Sequence, residues 1–457
     1  MIACPGCGAN LLFDIASQQM KCSYCESSYD PYQFDSMQKD ASREKVYDAW
    51  IYSCPSCGAR LMTTDETDAE AFCPYCGGAS ILFDRLRKVK YPSWIIPFQV
   101  DKDCCRREYS KAARRAFFTP ARYKKAEMID GFRAIYMPFW SYAVEQRGRA
   151  KVDVESKTSR DGDYLITDQY TVEGDVDVSY DGWTHDASKA FDDEISECLA
   201  PFNTEGRKPF TPGYLSGFYV DVADERANKY ADDAKRYFEN LTAEKLLESD
   251  EVNRAAKENE AHTIGITGVS IPTKVTKTEQ VLYPVWFMSY REGDRITYAT
   301  VNGQTGKVVA DFPISPWRFL AAALLTALAV FAVLSLFFTL KPESTLLLTS
   351  LLLIIGVLMC RKQSKQLSER YNDEETARRR AAYVNSQKIA IVLTVVALIV
   401  SGVVLLTHPV YNAVFYGVCI AEAIILFVLI RQAFLLQMQL ATRKPPQFNK
   451  KGGEDHA

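Results

Sequence analysis

A chain of 457 residues with 47% hydrophobic residues, 24% charged residues and a formal net charge of -3 has room for several domains and is too apolar to be a disordered protein. The charge is segregated: residues Met1 to Phe83 hold 5 Lys plus Arg against 11 Asp plus Glu, and residues Asp84 to Lys125 hold 13 against 4. An acidic N-terminal region argues against nucleic acid as its partner, because phosphate binding needs clustered Lys and Arg that displace counterions.

Four CxxC knuckles open the chain. Cys4-Pro5-Gly6-Cys7 is followed by Cys22-Ser23-Tyr24-Cys25, and Cys54-Pro55-Ser56-Cys57 by Cys73-Pro74-Tyr75-Cys76, with 14 and 15 residues between paired knuckles and 50 positions between repeats. Each CxxC places two sulfurs on one tight turn, and a second CxxC beyond a short hairpin supplies the other corners of a tetrahedron. That geometry suits zinc with no open coordination position, hence two structural Zn2+ ions rather than a catalytic metal. Gly8 and Gly58 supply the unusual backbone angles behind the first knuckles. No basic and apolar export signal precedes Cys4, so reduced thiols are expected rather than disulfides. The reading divides this region into zinc ribbon 1 (residues 1–35), a linker (36–50) and zinc ribbon 2 (51–84). Ribbons of about 25 to 30 residues have little core, so the metal is expected to supply most of their folding energy.

Residues 85–316 read as a cytosolic α+β region. Residues 101–117 have helical spacing, with Val100, Cys104, Tyr109, Ala112, Ala116 and Phe117 on one face. On the other, Arg106, Arg107, Lys111, Arg114 and Arg115 can meet anionic headgroups or an acidic partner, or simply be solvated. Strands are predicted around Val152 and Val154 and from Val172 to Tyr180, with Asp161-Gly162 as a hairpin turn. Helices are predicted over 188–199 and 223–248, and a second strand block over 263–313. Tyr136-Met137-Pro138-Phe139-Trp140 and Tyr283-Pro284-Val285-Trp286 share a Tyr followed by Pro-x-Trp, which suggests a duplicated β-module. The four histidines, His185, His262, His408 and His456, form no metal or triad spacing, and no phosphate loop is present, so no catalysis is expected. Cys104, Cys105, Cys198, Cys360 and Cys419 read as inert buried thiols.

Apolar runs at 319–340, 344–360, 389–406 and 410–430 predict four transmembrane helices within 317–431, arranged as two hairpins and followed by a basic cytosolic tail (432–457). Residues 361–388 carry eight basic residues, whereas the two short hairpin links carry only Lys341. The positive-inside rule then makes the middle loop and both termini cytoplasmic. Glu422 lies inside the fourth run, nine residues from its basic end, with no intramembrane partner. Its readings are a proton or ion contact and, more plainly, interhelical hydrogen bonding or shallow placement.

With these parts in order, the chain resembles bacterial membrane proteins labelled TFIIB-type zinc-ribbon proteins. The Cys-Pro-x-Cys-Gly knuckles, Ile95-Ile96-Pro97-Phe98, the Tyr136–Trp140 passage and the Asn302-Gly303-Gln304-Thr305-Gly306-Lys307 turn carry the resemblance. Cys22-Ser23-Tyr24-Cys25 departs from it, being followed by Glu26 instead of glycine. The resemblance implies membrane anchors that work beside phage-shock-protein-A and SPFH-type proteins in envelope stress. The expected function is therefore a non-enzymatic, membrane-anchored scaffold that recruits cytosolic proteins to the bacterial cytoplasmic membrane. The alternatives are a membrane-tethered nucleic-acid binder using residues 85–125 and a transporter or channel with a zinc-ribbon regulatory domain.

Overall fold

From Tyr142 to Val154 the even-numbered side chains Tyr142, Val144, Gln146, Ala150, Val152 and Val154 are buried, while Glu145, Arg147, Arg149, Lys151 and Asp153 face solvent. This period of two makes a half-buried strand. The stretch before it, Ile135 to Phe139, is buried on both faces, and the two patterns join in one strand of 24 residues, Arg133–Ser156. The computed structural model describes residues 2–35, 45–64, 73–76, 82–125, 130–156, 159–189, 191, 193–250, 252–254, 263–292, 295–337, 341–370 and 374–440. The described residues divide into two units, one within Met1–Arg114 and Lys124–Ala310, the other within Arg115–Tyr123 and from Asp311 to Leu440.

In the first unit the strands, in chain order, are β1 (Leu11–Asp14), β2 (Gln19–Cys22), β3 (Ser28–Tyr29), β4 (Val46–Ser53), β5 (Arg60–Thr63), β6 (Leu82–Lys90), β7 (Trp94–Ile95), β8 (Arg133–Ser156), β9 (Ser159–Asp161), β10 (Tyr164–Ile166), β11 (Gln169–Asp186), β12 (Lys208–Pro209), β13 (Tyr219–Asp221), β14 (Thr263–Ser270), β15 (Thr273–Glu292), β16 (Arg295–Asn302) and β17 (Val308–Ala310). β1 to β3 form a separate three-stranded sheet, β9 and β10 a small hairpin, and the rest a 12-stranded mixed sheet. β8 organises the large sheet. β11 runs antiparallel along most of its length, β15 and β14 pair with it antiparallel, and β13 pairs with it in parallel at Ile135 and Tyr136.

The predicted strands and the Asp161-Gly162 turn are present, but the helices are shorter than expected. Asp193–Leu199 (α2) replaces 188–199 and Ala231–Leu247 (α3) replaces 223–248. α3 packs Ala243, Leu246 and Leu247 against Val152, Val154 and Val176, and Thr242 Oγ1 donates to the buried Gln146 Oε1 at 2.6 Å. The helix Lys102–Arg115 (α1) buries Cys105, Tyr109 and Ala113, one position on from the predicted Cys104 and Ala112. Phe117, assigned to the apolar face, is 70% exposed. Cys198 is exposed rather than buried.

The two Tyr/Pro-x-Trp passages face each other rather than forming separate modules: Tyr283 pairs with Met137, Pro284 with Tyr136 and Val285 with Ile135. Proline has no N–H for the ladder, yet both proline carbonyls are used, Pro138 accepting from the Ala187 N–H and Pro284 from the Gly303 N–H, each at 2.8 Å. The second cysteine unit is not free-standing either. β4, β5 and β6 belong to the large sheet, β13 joining β5 on one side and β8 on the other. Its first strand starts at Val46, inside the predicted linker.

Among the described residues the second unit has four α-helices: α4 (Pro316–Phe337), α5 (Pro342–Arg370), α6 (Glu374–Thr407) and α7 (Asn412–Leu440). Proline at the first position starts α4 and α5, where its missing N–H costs nothing. His408, in the left-handed conformation and followed by Pro409, ends α6. α5, α6 and α7 pack through Leu353, Ala397 and Leu429 and through Leu346, Val404, Phe415 and Cys419. A Cβ on Gly356 would lie 2.8 Å from Leu426 Cδ1, so glycine permits the close approach of α5 and α7. Apolar side chains such as Leu347, Leu351, Ile399, Ile420 and Phe427 point outward.

Two described stretches, Pro342–Met359 and Asn412–Gln432, are long and apolar enough to cross a membrane; Ile391–Thr407 is apolar but shorter. The four predicted spans thus reduce to two on this criterion. The predicted middle loop is mostly helix, since α5 continues to Arg370 and α6 begins at Glu374. The predicted tail begins as helix through Leu440, and residues 441–457 and the Cys360 side chain lie outside the described residues.

The Asn302–Lys307 turn locks the edge of the first unit's core. Gly303 accepts from the Gln99 and Val100 N–H groups, and a Cβ there would stand 2.6 Å from Phe98 Cδ1 and 2.8 Å from Pro284 Cβ. Gly303→Ala is expected to destabilise this unit by about 1–3 kcal/mol through overpacking, read as a lower midpoint in denaturant unfolding; an unchanged midpoint contradicts the assignment.

Candidate metal centres

The same backbone turn carries the first knuckle of each repeat. Cys4 N–H donates to Ala9 O and Gly8 N–H to Cys4 O at 2.7 and 2.8 Å; Cys54 N–H donates to Ala59 O and Gly58 N–H to Cys54 O at 2.8 and 2.7 Å. Gly8 and Gly58 have φ of 77° and 79°, the left-handed region that glycine enters without a Cβ clash. At Cys22–Cys25 the same turn recurs, with Glu26 N–H donating to Cys22 O at 3.0 Å, and Glu26 takes φ of 59°. The departure noted in sequence is therefore a strained copy of the turn rather than a different one, carrying a side chain where its counterparts carry hydrogen.

These turns bring each set of four sulfurs together, all within 4.8 Å of one another. Cys4 and Cys25 sulfurs are 3.6 Å apart and Cys7 and Cys22 3.4 Å; in the second set Cys54 and Cys76 are 3.5 Å apart and Cys57 and Cys73 3.7 Å. A disulfide needs about 2.05 Å, whereas tetrahedral thiolates about 2.3 Å from an ion are separated by about 3.8 Å. Both groups can hold a metal ion. The Ser27 hydroxyl, and then its amide, lowers the Cys25 thiol to about 6, while Cys57, Cys76 and burial raise Cys73. Four packed thiols resist joint ionisation until a cation enters, so binding releases protons.

The two centres differ in setting. All four cysteines of the second are buried, in one cluster with Ile135, Met137, Tyr283, Val285 and Phe287. Tyr75, between its last two ligands, is fully buried and donates to Asp221 Oδ2 at 2.7 Å; Ser188 Oγ donates to the same oxygen. Burial pushes the Asp221 carboxyl up to about 7. The first centre keeps Cys4 and Cys22 buried but leaves Cys7 and Cys25 exposed, and Tyr24 is 81% exposed. Its hairpin is docked through Phe13, whose ring lies 5.1 Å from Tyr214 and whose N–H donates to Ser216 O at 3.1 Å. Both units therefore bury side chains against the remainder of the fold, which the expectation of nearly coreless ribbons missed.

Of the basic candidates on α1, Arg106 is tied to Asp103 and Asp130, and Lys111 to Glu108 at 2.6 Å. Arg107, Arg114 and Arg115 are exposed and have no ion-pair partner among the described residues. Glu422 is 1% exposed and does have partners. Thr349 Oγ1 donates to Oε2 at 2.5 Å, and Ser350 Oγ and Ser401 Oγ donate to Oε1 at 2.6 and 2.7 Å. Three hydroxyls from α5 and α6 thus hold one carboxyl of α7. The expectation of no intramembrane partner is therefore corrected; the signal in the sequence is a Thr349-Ser350 pair and Ser401 within apolar runs, but which helix meets Glu422 is set by the packing of α5, α6 and α7.

Because the second centre is enclosed and the first is partly open, a strong chelator should strip metal from the first at least about tenfold faster. Metal analysis of the full chain over time should show two separated losses; a single shared rate contradicts the difference. Relieving the left-handed strain of about 1 kcal/mol, Glu26→Gly should raise metal affinity of the first centre about fivefold. Competition with a chromogenic chelator measures it, and unchanged affinity refutes the strain argument.

No family model and no solved structure matches the chain. Among curated proteins it is similar to the uncharacterized protein YdjG of Bacillus subtilis (strain 168), with 30% identity over 328 residues, 68% of this chain and 89% of the relative. The chain therefore belongs to the YdjG family.

Proposed function

We propose that the chain is a zinc-binding, membrane-anchored scaffold that recruits cytosolic proteins to the bacterial inner membrane without catalysis of its own. The observation that carries this reading is the asymmetry of the two metal centres. The buried centre consolidates the sheet, whereas the outer one leaves a knuckle and the Tyr24 ring exposed on a separate sheet. An exposed aromatic on a metal-stiffened turn can dock a partner with little ordering cost. Zinc fits both centres because thiolates fill four tetrahedral positions and leave none for a reacting water.

In this reading four helices, the two longest apolar ones among them, anchor the chain, and the basic 361–388 segment keeps both termini on the cytoplasmic side. Glu422 acts as an interhelical clasp, its two oxygens held by three hydroxyls, which favours an anchor over a transporter. Stress-response proteins of the phage-shock-protein-A and SPFH types are the partners implied by resemblance. A nucleic-acid reading retains the exposed Arg107, Arg114 and Arg115.

Pull-downs of the full chain from detergent extract test docking at the first centre. Tyr24→Ala is expected to lose partners that the unsubstituted chain captures, while keeping both metal ions; identical captured proteins would refute docking there. Salt-sensitive capture of nucleic acid through Arg107, Arg114 and Arg115 in place of protein would establish the alternative.

A further inference from the structure

The first unit also contains a cleft of about 670 Å³, within the range of small-molecule sites, walled in part by Phe139 and Tyr283 of the cluster that holds the second set of cysteines. Phe139, Phe202 and Tyr283 form one wall, with Tyr283 4.4 Å from Phe202 and 4.6 Å from Phe139 between ring centroids. Trp183 on β11 and Tyr237 on α3, 6.3 Å apart, line it as well. Asp181, Asp186 and Glu197 are among the residues that line it, against one lysine, Lys245. Lys245 Nζ is already seated over the Tyr180 ring at 5.0 Å, and Asp181 is paired with Arg207 at 3.1 Å.

Asp186 is the exceptional group. It is 2% exposed, and its Oδ1 is buried without a hydrogen-bond donor. Its Oδ2 lies 3.7 Å from His185 Nδ1, whose short approach, at 3.1 Å, is to the Asp186 main-chain oxygen. An orphaned buried carboxylate oxygen is costly and calls for an explanation. Burial, and then the charge of Asp193, pushes the Asp186 carboxyl up to about 8, although the Ser196 hydroxyl and the Ser188 N–H donate to the carboxyl and act in the opposite direction.

We propose that this cleft binds a small organic cation with N–H donors, an arylalkylammonium, its ammonium group on Asp186 Oδ1 and its ring between the aromatic walls. Aromatic faces attract cations, and an ammonium N–H to a carboxylate forms a charge-assisted hydrogen bond. A quaternary ammonium satisfies the aromatic faces but leaves Oδ1 without a donor, so the orphaned oxygen selects for N–H.

Calorimetry on the full chain in detergent, corrected with protein-free micelles, tests this with 2-phenylethylammonium, its N-trimethyl analogue and 2-phenylethanol. The ammonium is expected to bind at least about tenfold more tightly than the other two. Asp186→Asn should abolish that preference while circular dichroism and melting show a folded chain, and Trp183→Leu should weaken the ammonium and trimethylammonium ligands together. Equal binding of ammonium and alcohol, no saturable binding, or unaltered selectivity in folded Asp186→Asn overturns the proposal. If Asp186→Asn does not fold, the ligand series on the unsubstituted chain and on Trp183→Leu decides.

Discussion

Four thiols sit inside an apolar core, and the architecture of the first unit depends on how that is accommodated. Cys54, Cys57, Cys73 and Cys76 are packed with Ile135, Met137, Val285 and Phe287, where isolated thiolates would be severely penalised by desolvation. A dication shared among the four sulfurs would remove most of that penalty; the sulfurs already bring the β4–β5 turn against the knuckle containing Tyr75. The ring of Tyr75 packs 5.1 Å from Phe287 while its hydroxyl reaches Asp221 on β13. Since β13 also pairs with β5 and β8, the four-sulfur group, the buried carboxyl and the central strand form one continuous arrangement.

The first centre uses the same turn for another end. Its sheet is separate and its outer sulfurs are exposed, while Leu11, Phe13 and Met20 are buried, Tyr32 donates to Pro209 O and Gln18 to Phe98 O. A buried centre contributes stability to everything packed around it, whereas an exposed one chiefly holds a short surface loop in shape. Tandem copies can therefore diverge in role without any change of ligands. Glu26 illustrates the freedom of the outer copy, since a left-handed glutamate is tolerated there at a local cost.

The second unit is packed on other terms. Outward faces of α5, α6 and α7 are apolar, and their contacts use small or aliphatic groups such as Ala397 and Leu353 with Gly356 allowing close approach. Within this apolar packing Glu422 is compensated by hydroxyls rather than by an opposite charge. Each hydroxyl has one proton and two acceptors in reach: Ser401 Oγ lies 2.7 Å from Glu422 Oε1 and 2.9 Å from Ala397 O, and Thr349 Oγ1 lies beside Glu422 Oε2 and 3.1 Å from Leu346 O, so donation to the carboxyl competes with donation to the helix's own carbonyl. Polar matching of this kind links three helices without introducing a second buried charge.

Much of the site was legible in the sequence because a CxxC repeat is local chemistry: two sulfurs on one turn, repeated at a hairpin's distance, allow few other arrangements. Strand positions around Val152 and Val154 were legible for the same reason, their period of two being imposed by the backbone. The α1 stripe was displaced by one residue because Cys104 and Cys105, and Ala112 and Ala113, are pairs between which spacing alone does not choose. Whether a cysteine unit is surface or core, which strand faces the Tyr136 passage, what partners Glu422 and why Asp186 is left without a donor all depend on residues distant in the chain. The sequence by itself determined the ligand sets, the segregation of charge and the apolar runs, since each is carried by neighbouring residues. Only the tertiary structure decided which centre was enclosed and which polar groups met, because burial and pairing arise from contacts that chain order does not encode locally.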